Sequence, residues 1–403
     1  MALMDSLTKP GPRLLSIDAL RGSVMVLMAL DHVRDFFHTG AMSFSPTDLT
    51  RTTPILFFTR WITHFCLPVF MFAAGMGAFL WWQPGNHTKG QLSRFLWTRG
   101  IWFIFVELTV MQFAYKFSIS FKYPIFLLIL WIFGACMIGM AALVHLPTRW
   151  LLVLSIVVIG LHDCLNRLDA SQFGSGSWVW NLLHQPGIIR SGSISFLVAY
   201  TLLPWIAVMA AGFCFGGVFM LDVAARQRIM RRIGMAAVVL FFVLRAVNRY
   251  GDPAPWSGQK SVALTVASFL NCTKYPASLD FLLMTLGPAI LVLACLDRYP
   301  LKAANPLIVF GRVPFFYFVL HFYAIHILAV LMAWLRYGGR AFTFIFNLLP
   351  SMGGPAQLFP ANFGYSLGTV YAVWVLIVVL LYPVCRWFAG VKARRRDWWL
   401  SYL

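Results

Sequence analysis

Charge is what this sequence has least of. Only 11% of its 403 residues are Asp, Glu, Lys or Arg, and Glu107 is the one glutamate in the chain. A soluble domain carries about 25% charged residues, because water-facing surface needs them and lipid-facing surface does not. The shortfall therefore excludes a large soluble protein. No polar stretch is long enough to form a soluble domain, so residues 1–403 are expected to make a single integral membrane domain. Familiar metal and nucleophile signatures are missing as well: there is no CxxC, no HExxH, no Cys/His set and no GxSxG, and no metal site is expected. The segments GMGAF and GFCFGG are small-residue helix-packing patterns rather than phosphate loops. The seven cysteines, Cys66, Cys136, Cys164, Cys214, Cys272, Cys295 and Cys385, are odd in number and widely spaced, which suits packing and not a disulfide framework. No strong internal repeat is visible, and that argues against a transporter built from duplicated halves.

Apolar residues fill the space. They make up 60% of the chain, and the mean hydropathy is +0.77. A membrane span needs about 20 mostly apolar residues. Such segments occur near 15–37, 61–82, 94–114, 124–144, 150–168, 194–221, 233–249, 277–297, 304–335 and 364–389. The fold class expected is an all-α, polytopic transmembrane helix bundle of about ten spans, with a break near Pro314 in the ninth. Segment 261–270 is too short to cross and reads as an interfacial or re-entrant piece. The net charge of +19 is distributed as the positive-inside rule requires if both termini are cytoplasmic. Inner loops then hold 18 Lys and Arg, among them Lys9, Arg13 and Arg394–Arg396, and the longer outer loops hold 11. No nucleic-acid partner is expected, since no recognition module or basic stripe is present. Trp81, Trp82, Trp398 and Trp399 suit interfacial anchors. The first apolar segment carries Asp31, His32, Arg34 and Asp35, so it reads as a retained span and not a cleaved signal.

That first span holds most of the chemistry. Ionisable groups within a membrane are costly and mark function or paired structural contacts. Arg21 and His32 differ by only about 20° around a helix and by roughly 16 Å along it, so they share a face. Asp31, Arg34, Asp35 and His38 follow an i, i+3, i+4, i+7 pattern and form a second polar stripe. One reading is a local salt-bridge cluster, Arg34 with Asp31 and Asp18 with Arg21. The other is an active site, because a His beside carboxylates is a common general base. Further intramembrane candidates are His64, which could meet His32 across the bundle; Glu107; Arg245 and Asn248, as partners for an Asp or for Glu107; and the i, i+4 pair Tyr317 and His321.

The stretch SIDALRGSVMVLMALDH (16–32) resembles the opening motif of the heparan-alpha-glucosaminide N-acetyltransferase catalytic-domain family. The resemblance extends through 68–81, 99–110, 250–256, 271–288, 310–321 and the basic, tryptophan-rich tail. It implies a multi-pass enzyme that moves an acetyl group from cytoplasmic acetyl-CoA to an amino sugar on the far side. The same opening is similar to membrane acyltransferase family three, in which a catalytic His follows Arg-Gly by about three helical turns; Arg21 and His32 have that separation. The resemblances thus imply an acyltransferase with His32 as base, assisted by Asp31 or Asp35. His38 and His64 are the alternative histidines. Arg21, Arg94, Arg99 and Arg149 would pair with acyl-CoA phosphates. Asn271, Lys274, Tyr275 and His321 would meet the acceptor, a hydroxyl or amine of a glycan or amino sugar. The bacterial inner membrane is the expected location, and homodimerisation is left open. Two rival readings use the same charges: a proton-coupled transporter or permease with an Asp/His relay, and a non-catalytic scaffold with structural ion pairs.

Overall fold

A computed structural model describes residues 14–402 apart from positions 119, 121, 300 and 396; Lys9, Arg13 and Arg396 of the basic inner set lie outside the described residues. The first helix, α1 (Leu15–Phe37), draws eight of its 23 residues from Leu, Met and Ala, which favour the helix. It ends where His38 turns extended and donates its backbone N–H to the Arg34 carbonyl. Fifteen of its 23 residues are buried, Asp18 and Arg34 among them. A helix buried nearly all round is a central post, which is how so many charged groups are tolerated in it: they face neighbouring helices and cavities instead of lipid.

The elements that follow are α2 (Pro54–Trp61), α3 (Cys66–Asn86) and α4 (Lys89–Val106), then a π-helical turn (Glu107–Met111) and α5 (Gln112–Lys116). Strand β1 (Ile125–Leu127) precedes α6 (Ile129–Leu143), α7 (Thr148–Leu161) and α8 (Ser177–Leu183). Strands β2 (Gly187–Ser191) and β3 (Ile194–Val198) lead to α9 (Leu202–Gly216), α10 (Val223–Val247), α11 (Val262–Leu270) and α12 (Leu279–Arg298). The chain closes with α13 (Pro306–Arg312), α14 (Pro314–Tyr337) and α15 (Leu367–Arg394). Polar side chains fix many starts: Thr53 caps α2 with Pro54 in its first turn, Thr88 and Gln91 form a capping box on α4, and Ser278 and Ser366 cap α12 and α15.

Each of the ten expected spans contains a helix. Among the described residues, six stretches are long and apolar enough to cross a membrane: Pro54–Gln83, Thr148–Arg167, Leu202–Met220, Leu279–Arg298, Pro314–Thr343 and Leu367–Arg394. Of the rest, α6 is short, and α1, α4 and α10 carry several charges. The all-α expectation needs one correction, a small sheet of order β1-β3-β2. β1 runs parallel to β3 with Ile125 opposite Phe196, and β2 runs antiparallel to β3 with Gly187 opposite Val198. Two segments expected to open spans, at 124 and 194, thus begin as strands rich in β-branched and aromatic residues. The ninth span is broken at Val313, which is not helical, and resumes at Pro314 in the first turn of α14. Trp81 and Trp82 are half-buried and pack on Phe95 and Phe213, whereas Trp398 is exposed.

Around α1 stand α3, α12, α13, α14 and α15. The closest approach is to α13. A Cβ on Gly22 would collide with the Leu307 carbonyl, and one on Gly311 with the Asp18 carbonyl. Neither backbone can retreat without moving its helix. Gly311→Val should therefore force α13 off α1 at a cost of ~3 kcal/mol or more, read as a lower thermal midpoint and lower detergent-soluble yield. A variant as stable as wild type would show that the contact yields easily.

Candidate active site

Two cavities open on α1. The larger, about 1110 Å³, lies at its N-terminal end and is lined by Asp18, Arg21, Arg99 and Arg226 among mostly apolar neighbours. The smaller, about 650 Å³, lies at the C-terminal end and is lined by Asp31, His32, Arg34, Asp35, Arg60, Tyr200, Lys274 and Tyr275. Met28, Leu67, Ile129 and Phe318 line both cavities. An apolar collar therefore separates a cationic vestibule from a chamber of mixed charge, and α1 supplies polar groups to each.

In the larger cavity, Arg21 donates to the Ala73 carbonyl at 3.1 Å and lies 3.8 Å from Asp18. Arg99 lies 3.7 Å over the Phe95 ring and 4.7 Å over Tyr402. Trp81 stacks between Phe95 and His87, with centroids 4.4 and 3.8 Å away. Trp102 donates its indole N–H to the Tyr402 carbonyl at 3.2 Å, so the C-terminal turn helps hold this stack. Arg226 pairs with Asp297 at 2.8 Å. Arg94 and Arg149, expected beside them, are exposed and line neither cavity. Arg226 was not singled out from the sequence, where it stands in a basic run like any membrane-facing cluster.

In the smaller cavity, ion pairs dominate. Arg34 bridges Asp31 at 2.9 Å and Asp35 at 2.6 Å, and Arg60 pairs with the other Asp31 oxygen. The salt-bridge cluster foreseen on α1 is present, extended by Arg60 from α2. Neither carboxylate hydrogen-bonds His32; the arginines hold them. The His32 ring instead contacts Phe322, with centroids 4.1 Å apart, and His321, at 5.2 Å. Opposite them, Lys274 lies 5.8 Å over the Tyr200 ring and 5.4 Å over Tyr275, and the two tyrosine hydroxyls are 3.2 Å apart. Ser351 donates to the Asp35 carbonyl at 2.6 Å and ties the 350–352 turn over the chamber.

The loop that presents Lys274 and Tyr275 is cradled from beneath. Asp252 accepts from the Thr273 N–H at 2.7 Å and from the Ser278 hydroxyl at 2.6 Å. Asp163 accepts from the Leu279 N–H at 2.9 Å. Arg245 donates to the carbonyls of Phe269, Ala254, Ser268 and Asn271, with Asp252 and Asp280 at 4.0 and 3.9 Å.

Other candidates fall elsewhere. His64 is buried against Phe281, and His38 sits where α1 meets Tyr365; neither lines either of these two cavities. Asn271 donates to the Thr47 carbonyl at 3.1 Å, which holds the 45–47 loop. Glu107 accepts from the Tyr115 hydroxyl at 3.1 Å and the Leu130 N–H at 2.9 Å, so its partners are these and not Arg245 or Asn248. Arg60 could have been suspected from its i, i+4 spacing to His64, whereas Tyr200 carried no sequence signal.

The site thus has cationic groups at one end, a histidine at the other and apolar residues shared by both cavities between. No curated protein matches the chain. The family model described as heparan-alpha-glucosaminide N-acetyltransferase, catalytic, matches residues 13–247, more than half the chain, and takes in α1, the collar residues Met28, Leu67 and Ile129, and Arg21, Arg60, Arg99, Arg226 and His32. The chain belongs to the heparan-alpha-glucosaminide N-acetyltransferase catalytic family, a family of acetyltransferases acting on sugars.

Proposed function

We propose that this protein transfers an acetyl group across a bacterial inner membrane, from cytoplasmic acetyl-CoA to a hydroxyl or amine of a sugar-like acceptor outside. The observation that carries the reading is the meeting of two cavities at one apolar collar, with Arg21, Arg99 and Arg226 on one side and His32 on the other. Both termini are placed in the cytoplasm, so the larger cavity faces the cytoplasm, and about ten spans cross the bilayer. Arginine suits phosphate because its planar fork donates in pairs. The nucleotide of acetyl-CoA is held there, and its slender pantetheine arm passes the collar to bring the thioester near His32.

In the smaller cavity, His32 takes the acceptor proton as the acceptor oxygen or nitrogen attacks the thioester carbon. The C–S bond then breaks, the new C–O or C–N bond remains, and the imidazolium returns its proton to the leaving thiolate. Lys274, Tyr200 and Tyr275 bind the acceptor from the outer loop. Asp31 and Asp35, locked to Arg34 and Arg60, hold the end of α1 and balance the charge around His32. His38 and His64 take no step.

The test is transfer of radiolabel from acetyl-CoA to amino-sugar and hydroxylated acceptors by the purified protein. Arg99→Ala and Arg226→Ala should each raise KM for acetyl-CoA by about 10-fold or more, as befits loss of a charge-assisted phosphate contact, with little change in acceptor KM. Transport of solute or protons without any turnover or binding of acyl-CoA would instead support a permease.

A further inference from the structure

Three arginines line the larger cavity, and they are not equivalent. Arg21 lies 3.8 Å from Asp18, and Arg226 pairs with Asp297 at 2.8 Å. Arg99 has no carboxylate partner among the described residues. Its guanidinium carbon lies 3.7 Å over the Phe95 ring and 4.7 Å over the Tyr402 ring. One of its N–H groups donates to the Phe95 carbonyl at 3.3 Å. A guanidinium has five N–H donors in one plane. A ring takes up the face of that plane and leaves the in-plane donors free to bond. Arg99 is therefore the cation of this cavity whose charge is least compensated and whose donors are most available to an anion.

The two rings reach Arg99 by different routes. Phe95, Arg99 and Trp102 stand at i, i+4 and i+7 of α4, so one face of the helix carries all three. Trp81 stacks on Phe95 and fixes it, with centroids 4.4 Å apart and planes at 22°. Tyr402 comes from the far end of the sequence, 300 positions after Trp102. It belongs to a single helical turn, Trp398–Tyr402. That turn is anchored twice: Trp102 donates its indole N–H to the Tyr402 carbonyl at 3.2 Å, and Leu400 is only 3% exposed. Tyr402 itself lines neither of the two cavities, so any effect it has on a ligand there passes through Arg99.

We propose that Tyr402 is a positioning residue for the acyl donor. Its ring, set by the Trp398–Tyr402 turn, holds the Arg99 guanidinium at the wall of the larger cavity, where the free N–H groups take a phosphate of the donor. The inference rests on the reading of that cavity as the acetyl-CoA site. An arginine held in place before the ligand arrives loses less side-chain freedom on binding, and a ring beside a cation attracts it without consuming its donors. The segment at 398–402 thus belongs to the donor site, although it enters from outside the cavity wall.

The test is steady-state transfer by Tyr402→Leu, which fills space without a ring, and Tyr402→Phe, which keeps the ring. Tyr402→Leu should raise KM for acetyl-CoA about 3–10-fold, the size of one cation–ring contact, with kcat and acceptor KM within about twofold. Tyr402→Phe should recover most of that loss. In an Arg99→Ala background, Tyr402→Leu should raise the donor KM no further, because the residue it positions is gone. An unchanged donor KM in Tyr402→Leu, equal effects of Leu and Phe, or a full additional rise in the Arg99→Ala background would each overturn the proposal. Nitrogen–proton NMR of arginine-labelled protein reads the contact without any donor, with the Arg99 signal assigned by its absence in Arg99→Ala. Loss of the shielding ring should move that signal downfield in Tyr402→Leu and not in Tyr402→Phe; a signal that stays put would overturn the proposal. Failure of the wild type to bind or turn over acetyl-CoA would refute the donor-site reading, while NMR would still decide whether Tyr402 holds Arg99.

Discussion

Replacing His32 by alanine is expected to lower acetyl transfer by about 10²–10⁴-fold, the range for loss of a general base, while insertion and thermal stability change little. His32 lines the smaller cavity beside the collar that also lines the larger one, and neither His38 nor His64 lines either cavity. Truncation leaves Asp31 with Arg34 and Arg60, so the ion-pair frame of α1 should survive. His32→Gln fills the same space without a titrating nitrogen and should be as inactive. The measurement is transfer of radiolabelled acetyl from acetyl-CoA to acceptor, with donor binding followed separately by thermal protection, since a ligand of the folded state raises the midpoint. An inactive variant that acetyl-CoA still stabilises places the defect in chemistry. A His32→Ala protein with wild-type turnover would remove this residue from the mechanism.

Arg245→Met should destabilise the protein by ~3–5 kcal/mol, the usual result of removing one member of a buried charged set. Its guanidinium donates to four backbone carbonyls spread over 254–271 and stands between Asp252 and Asp280. Without it those carbonyls lose their donors and two buried carboxylates face each other. The damage should also reach the acceptor side, because Asp252 holds the loop that carries Lys274 and Tyr275. Thermal unfolding should show the loss of stability, and at temperatures where the variant is folded, KM should rise for acceptor more than for acetyl-CoA. A midpoint equal to wild type would mean that the cluster is not the keystone of the outer loops. Lys274→Met, by contrast, should weaken acceptor binding while leaving the midpoint nearly unchanged, since among the described residues its ammonium lies over the Tyr200 and Tyr275 rings without a hydrogen bond or close ion pair.

Much of this was legible in the residues alone. Scarce charge and long apolar runs sufficed for a helical membrane domain, because lipid leaves the backbone no other common way to satisfy itself. Helical periodicity put Arg21 and His32 on one face of α1, and each does line a cavity at its own end of that helix. The i, i+3 spacing of Asp31 and Arg34 foretold their ion pair. These are properties within one helix, where geometry follows from sequence spacing.

Contacts between helices were decided only by packing. Nothing in the spacing of Asp31 announces that Arg60, from another helix, will claim its second oxygen and leave His32 without a carboxylate. Four arginines looked equivalent as phosphate ligands, yet Arg21 and Arg99 line the larger cavity, Arg94 and Arg149 do not, and Arg226 joins them from a basic run. The short strands β1 and β3 were hidden inside runs read as helical, because an apolar stretch has no period to distinguish them until a neighbouring strand is present. His321 and His32 stand 289 positions apart in the chain; their ring contact exists because Gly22 and Gly311 let α1 and α13 touch backbone to backbone, which sets the depth at which α14 meets α1.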